Sequence, residues 1–460
     1  MDLQRYLDSL RGKTVAVLGI GVSNTPLIEL LCGNGARVTA CDKKTRNQLG
    51  ETAERLEALG AELRLGEGYL QGIDADVIFR TPGMRPDVPE LLAAKERGSV
   101  VTSEMQVFFE VCPCPIIAVT GSDGKTTTTT IISELLKAAG KTVWLGGNIG
   151  HPLLADAGKI KTEDCAVVEL SSFQLLDMTR SPHIAVMTNL APNHLDVHRD
   201  MAEYIAAKEN IYLHQSENDV AIFNLDNDVT RELSAKAKGR VRLFSRRSEV
   251  TDGAFVRGGA IWLRSGGEER EIVRTADILI PGQHNVENYC AAIAATDGLV
   301  SDDAVREVAR TFGGVEHRIE LVRERRDVRW YNDSIASNPT RTIAGLRSFD
   351  RKVILIAGGY DKHIPFSPLA PEIVEHVKLL ILCGATADAI RTAVTTYGSY
   401  CGEPEIVERK TLQEAVDLAA ARAEAGDVVT LSPACAAFDQ FANFMERGKA
   451  FKAMVRALPE

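Results

Sequence analysis

Three observations predict an α/β chain of three domains, each built on a mainly parallel sheet. The chain has 460 residues, more than one core of the usual ~100–200 residues organises. A short β-branched apolar run, a glycine-bearing turn and a helical pattern recur in that order through three successive blocks, the signature of βα units. Two of the blocks leave their first strand through a glycine loop. Boundaries fall near 102 and 314, so the expected domains are 1–102, 103–314 and 315–460.

Block one opens with TVAVLGIG (14–21) and continues with ARVTACD (36–42), DADVIFRTPG (74–83) and VVTS (100–103). Block two begins with PIIAVTG (115–121) and adds CAVVEL (165–170), HIAVMTNL (183–190) and NDVAIFN (218–224). Between about 240 and 275 the runs VRLFS, AFVRGGAIWLRSGG and REIVR alternate, which predicts hairpins carried inside or beside this block. Helical periodicity returns at 284–300 and 302–312. Block three holds RKVILIAGG (351–359), VKLLILCG (377–384) and GDVVTLSPA (426–434) with helices between them, as in another doubly wound sheet.

Composition narrows the function classes. Hydrophobic residues at 45% and charged residues at 25% are globular values, which removes disordered, collagen and coiled-coil classes. Acidic residues (63) outnumber basic ones (53), and the formal charge of −10 argues against nucleic acid or an anionic membrane as the main partner. The opening residues do not resemble a signal peptide, and no run approaches the ~20 apolar residues of a membrane span, so a cytoplasmic location is expected. Nine cysteines show neither a CxxC pair nor zinc spacing and are expected to be reduced and mostly structural. Cys112 and Cys114, which flank a proline, are a weak metal or redox hint.

The most informative stretch is PIIAVTGSDGKTTTTTIISELLKAAG, residues 115–140. A strand runs into Gly121-Ser122-Asp123-Gly124-Lys125-Thr126-Thr127 and then into a helix with apolar positions 131, 132, 135 and 136. Glycines let backbone N–H groups curl around phosphate oxygens, the helix N-terminus adds positive potential, and Lys125 can reach a β/γ-phosphate. The hydroxyl of Thr126 falls where Mg²⁺ would be held. The general P-loop spacing would need a glycine at 119, which is valine, so a tight G-x-x-G-K-T-T loop describes it better. Triphosphate binding is the expected function of the central block.

A second loop, Gly19-Ile20-Gly21-Val22-Ser23-Asn24, follows the first strand, with Asp42 ending the next one. This partly matches the dinucleotide fingerprint, but Asn24 stands where a third glycine belongs. An ordinary βα turn, a nicotinamide site and another nucleotide site all remain open on these residues alone. The segment Thr81-Pro82-Gly83, at the end of another strand, borders the same crevice. A triphosphate loop and a separate diphosphate crevice in one chain predict two phosphorylated substrates.

TGSDGKTT, GGNIG (146–150), VVELSSFQL (167–175), TNLAPNHLD (188–196), YIAAK (204–208), GQHNVEN (282–288), EHRIE (316–320), YNDSIASNPT (331–340), AGGYDK (357–362) and LSPACAAFDQF (431–441) together resemble the Mur ligase family over almost the whole chain. The resemblance implies a Rossmann-like N-terminal domain for the UDP part of a nucleotide sugar, a P-loop-type central domain for ATP, and a Rossmann-like C-terminal domain for the incoming amino acid. Within the family, ELSSFQL and SPACAAFDQF are most similar to the member that joins D-glutamate to UDP-N-acetylmuramoyl-L-alanine. That activity would proceed through an acyl phosphate, with ATP and two Mg²⁺ ions, in a chain expected to act as a monomer. Sister ligases adding other amino acids, and the folate polyglutamate ligase, share the ATP core. A dehydrogenase would leave the Lys125 loop without a role, and a nucleotide switch would not need Lys362 or SPACAAFDQF.

Residue by residue, the resemblance places Gly21, Val22 and Ser23 at the diphosphate and Asp42, Lys43, Thr81, Pro82 and Gly83 around the nucleoside. Glu169, His194 and Lys208 join Thr126 as metal-binding groups, with Lys208 carbamylated by CO₂ so that an ammonium becomes an anion. Without the resemblance, Lys208 would be read as a solvated helix lysine and His194 as structural. Asn148 polarises the substrate near the transferring phosphate, with Ser171 close by. Asn288 would contact adenine, and Arg318 and Asp333 would meet the ATP phosphates and ribose. For D-glutamate the matching positions are Ser337, Lys362, Ala437, Phe438 and Phe444, with backbone N–H groups at the start of a 434–446 helix. Phe438 and Phe444 read equally well as helix-to-core packing. Asn24, Ile335 and Ala437 depart from the family pattern, where glycine, lysine and serine are common.

Overall fold

The computed structural model describes residues 1–193 and 197–460 and contains three parallel-rich sheets in three successive regions. The first holds β1 (Thr14–Leu18), β2 (Arg37–Asp42), β3 (Glu62–Leu65), β4 (Val77–Arg80) and β5 (Val100–Thr102), all parallel, in the order β3-β2-β1-β4-β5. Strand β3 is absent from the sequence reading because ELRL carries two charges in four residues and no β-branched run marks it.

The second sheet holds β6 (Ile116–Thr120), β7 (Val143–Gly147), β8 (Cys165–Glu169), β9 (Ile184–Met187), β10 (Val220–Asn224), β11 (Arg240–Ser245), β12 (Gly253–Arg257), β13 (Ala260–Ser265) and β14 (Glu268–Arg274). Its order is β14-β13-β12-β11-β10-β9-β6-β8-β7. The expected hairpins are present as β12-β13 and β13-β14, but VRLFS does not belong to one. It forms β11, which pairs parallel with both β10 and β12 and extends the sheet. Alternation of polar and apolar residues reports a half-buried strand and says nothing of its direction.

The third sheet holds β15 (Glu320–Arg325), β16 (Val328–Asn332), β17 (Val353–Ala357), β18 (Val377–Leu382), β19 (Glu405–Glu408) and β20 (Val428–Leu431), ordered β15-β16-β20-β17-β18-β19. Only β15 runs antiparallel to its neighbour. The hairpin β15-β16 turns through Arg326 and Asp327 in the left-handed region (φ 53° and 62°), without the glycine or asparagine that would announce it.

Contacts divide the chain into two compact units, residues 1–275 with 287–308, and residues 276–286 with 309–460. In the first, one hydrophobic core runs from Leu7 and Val17 through Phe108 and Ile116 to Tyr212, so the first two sheets share their packing. The positions expected to be apolar on the helix Lys125–Ala138, Ile131, Ile132, Leu135 and Leu136, are all fully buried. The nine cysteines are free thiols. Among the described residues no helix is long and apolar enough to cross a membrane.

Glu104 sits inside the shared core, accepting the Leu154 N–H at 2.8 Å, and burial pushes its carboxyl up to about 7. A folded-state value above the unfolded one stabilises the fold below about pH 4.5, and this contribution is lost as pH rises through about 7. Glu104→Gln, which keeps the acceptor oxygen, should therefore flatten the fall in stability over that interval by an amount on the order of 3 kcal/mol, read from denaturant unfolding at pH 5 and pH 8.

Candidate active site

Strand β6 ends at Thr120, and the chain turns through residues 121–124 into the helix Lys125–Ala138. Gly121 (φ +151°) and Gly124 (φ +78°) adopt conformations that L side chains rarely take. A Cβ on Gly121 would lie 1.9 Å from Thr188 Oγ1, and one on Gly124 would lie 2.5 Å from Asn288 Oδ1. The loop is therefore a close-fitting cradle of backbone amides at a helix N-terminus, the standard place for a phosphate. Residues that the sequence reading missed hold it from outside. The Asp123 N–H donates to Asn189 Oδ1 (2.9 Å), Thr188 Oγ1 donates to the Asp123 carbonyl (2.6 Å), and Ser122 Oγ hydrogen-bonds Tyr204 Oη (2.9 Å). The run Thr188-Asn189 directly after a buried strand was the available signal. Lys125 Nζ lies over the loop, donating to the carbonyls of Gly121 (2.9 Å) and Ser122 (2.8 Å).

Glu169 ends β8 and is only 2% exposed. Thr126 Oγ1 donates to its Oε2 at 2.7 Å, Asn148 Nδ2 donates to its Oε1 at 2.8 Å, and the Asn148 N–H donates to its carbonyl at 2.8 Å. Asn148 comes this close because Gly147 precedes it: a Cβ there would lie 2.2 Å from the Glu169 carbonyl oxygen. Carboxylate, hydroxyl and amide oxygens are the donor set of a hard divalent cation such as Mg²⁺, so these residues fit one. Among the described residues no group of three or more His, Cys, Asp or Glu side chains could hold a metal. His194 lies outside the described residues.

Lys208 overturns the ordinary reading of a helix lysine. It lies on the helix Met201–Leu213, is 1% exposed, and donates from Nζ to Thr120 Oγ1 (3.0 Å) and the Gly121 carbonyl (2.9 Å), 5.1 Å from the centre of the Tyr204 ring. Burial, and then the neighbouring Lys125 charge, hold its pKa well below the usual lysine range, while Glu169 acts the other way. Asn288 is buried beside the loop, and its Oδ1 accepts from Thr128 Oγ1 at 3.2 Å.

The first glycine loop is built differently. Gly19 (φ +92°) faces Thr81, whose Cβ would be 3.0 Å from an added Cβ, so the GIG and TPG segments meet as expected. Asn24 stands in for the missing glycine as a strut: buried, it donates to the carbonyls of Leu18 (3.0 Å) and Gly19 (3.1 Å). Asp42 is buried too, and its carboxylate accepts the Ile20 N–H (2.6 Å) and the Lys44 N–H (2.8 Å). Gly21, Val22, Lys43 and Gly83 are exposed along this rim, with Ser23, Thr81 and Pro82 half-buried. Ser171 is engaged as a helix cap, its hydroxyl exchanging hydrogen bonds with Gln174.

In the second unit Asp333 is buried, accepting from Ser432 Oγ (2.7 Å) and the Ile319 N–H (3.3 Å), and burial pushes its carboxyl up to about 7 against the pull of Arg318 and Arg341. Ile335, which stands where the family commonly has a lysine, offers its carbonyl to Arg341 (3.1 Å) and to the Ser337 N–H (2.8 Å). Lys362 is exposed on the loop after β17. The expected helix over 434–446 is absent: residues 434–443 are turns and bends, and the helix is Phe444–Ala457 with Asn443 as its cap. Ala434 takes a left-handed φ of 59°, and the buried Arg447 claims the carbonyls of Cys435 (2.9 Å) and Ala436 (3.0 Å), which a helix would have used itself. Ala437 is buried in this loop. Phe438, for which core packing was one reading, is 62% exposed with its ring edge-on to Tyr360, and Phe444 lies edge-on to His317.

A parallel sheet whose first strand feeds a Gly-x-x-Gly-Lys-Thr cradle, with a buried carboxylate joined to the threonine, defines a nucleotide-dependent phosphoryl-transfer enzyme. The Mur ligase middle domain matches residues 119–296, and the Mur ligase glutamate ligase domain matches residues 317–435. The chain belongs to the Mur ligase family. It is 54% identical over 460 residues to UDP-N-acetylmuramoylalanine–D-glutamate ligase of Acetivibrio thermocellus and 50% identical over 459 residues to the protein of that name from Clostridium beijerinckii, covering 99% of each chain in both cases. Among solved structures it is similar in fold to the UDP-N-acetylmuramate-alanine ligase of Thermotoga maritima (TM-score 0.57, 19% identity, 97% of this chain and 99% of that one). MurF of Acinetobacter baumannii is similar too, with TM-score 0.58 and 17% identity over 83% and 92% of the two chains.

Gly124→Ala places a methyl group against Asn288 Oδ1 in a left-handed residue, so nucleotide affinity should fall by about tenfold or more and the thermal midpoint of the free protein should fall as well. Titration calorimetry with a non-hydrolysable ATP analogue measures the first and a melting curve the second.

Proposed function

We propose that this chain is the ATP-dependent ligase that joins D-glutamate to UDP-N-acetylmuramoyl-L-alanine in the synthesis of peptidoglycan precursors. The observation that carries this reading is the Thr126–Glu169–Asn148 cluster beside the Lys125 cradle, in a chain with full-length relatives of that name. The L-alanyl carboxylate attacks the γ-phosphorus of ATP, giving an acyl phosphate and ADP. The amine of D-glutamate then attacks the acyl carbon and phosphate leaves. A free carboxylate is a very poor acyl donor, so phosphorylation converts one inaccessible step into two accessible ones.

The protein's work is placement and charge. The amides of residues 121–126 and Lys125 hold the β- and γ-phosphates, and Asn288 sits where it can meet the base. Thr126 and Glu169 would hold one Mg²⁺, and Lys208 as a carbamate, with His194, a second; the metal, when bound, neutralises the transferring phosphoryl group. A carbamate needs an uncharged amine, and the buried setting of Lys208 favours that form. Asn148 orients the substrate next to Glu169, with Ser171 nearby. In the N-terminal domain, residues 1–102, Gly21 to Ser23 take the diphosphate and Asp42, Lys43 and Thr81 to Gly83 the nucleoside. The central domain, 103–314, holds ATP. In the third, 315–460, Arg318 and Asp333 serve the nucleotide, and Ser337, Lys362, Ala437, Phe438 and Phe444 the D-glutamate. The Lys362 ammonium is the natural partner for one substrate carboxylate. The enzyme works as a monomer in the cytoplasm, without nucleic-acid or membrane partners.

Supplying ATP, UDP-N-acetylmuramoyl-L-alanine and a panel of amino acids should release ADP and phosphate only with D-glutamate, and preference for another amino acid overturns the substrate assignment. Lys125→Ala should lower that rate by roughly 10³-fold or more. Lys208→Ala should be inactive and regain part of its activity when acetate or formate is added; full activity without them refutes the carbamate role.

A further inference from the structure

Two arginines near the end of the first sheet are unused by this chemistry, yet their hydrogen bonds tie the loop that follows it to two other segments of the same unit. Arg80, the last residue of β4, is 0% exposed. Its Nε donates to Asp177 Oδ2 (2.9 Å), and one terminal nitrogen bonds Asp177 Oδ1 and the Phe173 carbonyl (3.2 Å). The other reaches the carbonyls of Met84 (2.9 Å), Thr81 (3.3 Å) and Pro82 (3.4 Å). One planar cation thus gathers three carbonyls of the TPGM loop on one side and grips the segment that follows Ser171 and Ser172 on the other. Arg85 closes the far end of the loop. Its two terminal nitrogens donate to both carboxylate oxygens of Glu203 (2.7 and 2.9 Å), with Asp87 and the Val197 carbonyl as further acceptors. Glu203 lies in the first turn of the helix that carries Lys208.

We infer that Arg80 and Arg85 are positioning residues for the nucleotide sugar: they suspend the loop 81–84 between the segment after Glu169 and the Lys208 helix, so that the held end of the substrate and the phosphoryl-transfer site keep a fixed register. The inference rests on the proposed function, which puts the nucleoside at this loop. Three features carry it. The loop touches the first glycine loop through Gly19 and Thr81, so a shift of residues 81–84 changes the crevice itself. Arg80 draws the Thr81, Pro82 and Met84 carbonyl oxygens to one guanidinium nitrogen, which fixes the shape of the loop assigned to the nucleoside. Lysine cannot replace a guanidinium here, because a point charge with three donors does not span six acceptor oxygens on two segments. A misplacement of about 1 Å at a reacting carboxylate is enough to lose about two orders of magnitude in rate.

The test compares wild type with Arg80→Ala, Arg80→Lys and Arg85→Gln. Calorimetry measures the affinity for UDP-N-acetylmuramoyl-L-alanine and for a non-hydrolysable ATP analogue separately, steady-state assays give KM for each substrate, and melting curves report folding. The expected result is a loss of about tenfold or more in nucleotide-sugar affinity, with KM for that substrate raised, in Arg80→Lys and Arg85→Gln. ATP-analogue affinity should stay within about twofold of wild type. Equal losses for both ligands, or unchanged nucleotide-sugar affinity in folded Arg85→Gln, overturns the inference. Should Arg80→Ala not fold, the half-buried Arg85 gives the decisive variant. A wild-type protein that binds ATP but no UDP-sugar would instead remove the functional reading on which the inference stands.

Discussion

The centre of this protein depends on holding one buried carboxylate, Glu169, in a fixed place. An isolated buried carboxylate is costly, and it is tolerated only where donors or cations answer it. Here a hydroxyl and a side-chain amide answer it, Thr126 from one element and Asn148 from another. The sheet makes this meeting possible. Strand β6 lies between β9 and β8, with β7 beyond β8, and all four run parallel. Their carboxyl ends therefore share one edge, and the residues that follow them are Gly121, Asn148 after Gly147, Leu170 after Glu169, and Thr188. Ligand sites at such an edge are the rule for open α/β sheets, because the strand order reverses there and leaves a crevice.

The same geometry explains what could be read from the sequence and what could not. The cradle was legible because its parts are contiguous: strand, glycines, Lys-Thr and helix arrive in order within residues 115–140. Glu169 was legible only through the resemblance of its ELSSFQL segment, because its partners lie 21 and 43 residues away and no local pattern joins them. Thr188, Asn189 and Tyr204 were missed for that reason, since each acts on the loop across the sheet. Lys208 shows the reverse failure: helical spacing alone reads it as solvated, and only tertiary packing buries it. Errors in the last region have local causes. A hairpin turned by Arg326 and Asp327 carries neither the glycine nor the asparagine that most readily takes the left-handed conformation. The run ACAAFDQF has helical composition, yet Arg447, 11 and 12 residues beyond Ala436 and Cys435, takes the carbonyls a helix would need.

The two glycine loops of the first unit are held in different ways. The loop after β6 carries a lysine whose Nζ, on a long unbranched stem, lies over its carbonyls. The loop after β1 has no such cation. Its shape comes from Asn24, which fills the place of a glycine and braces the carbonyls of Leu18 and Gly19, and from Asp42, whose oxygens take the N–H groups on either side. A loop braced by buried amide and carboxylate groups is rigid, and an acidic brace disfavours phosphate unless the surrounding amides face it. The shared core from Leu7 to Tyr212 joins the two sheets that carry these loops, so the packing that stabilises the unit also fixes the distance between the two loops.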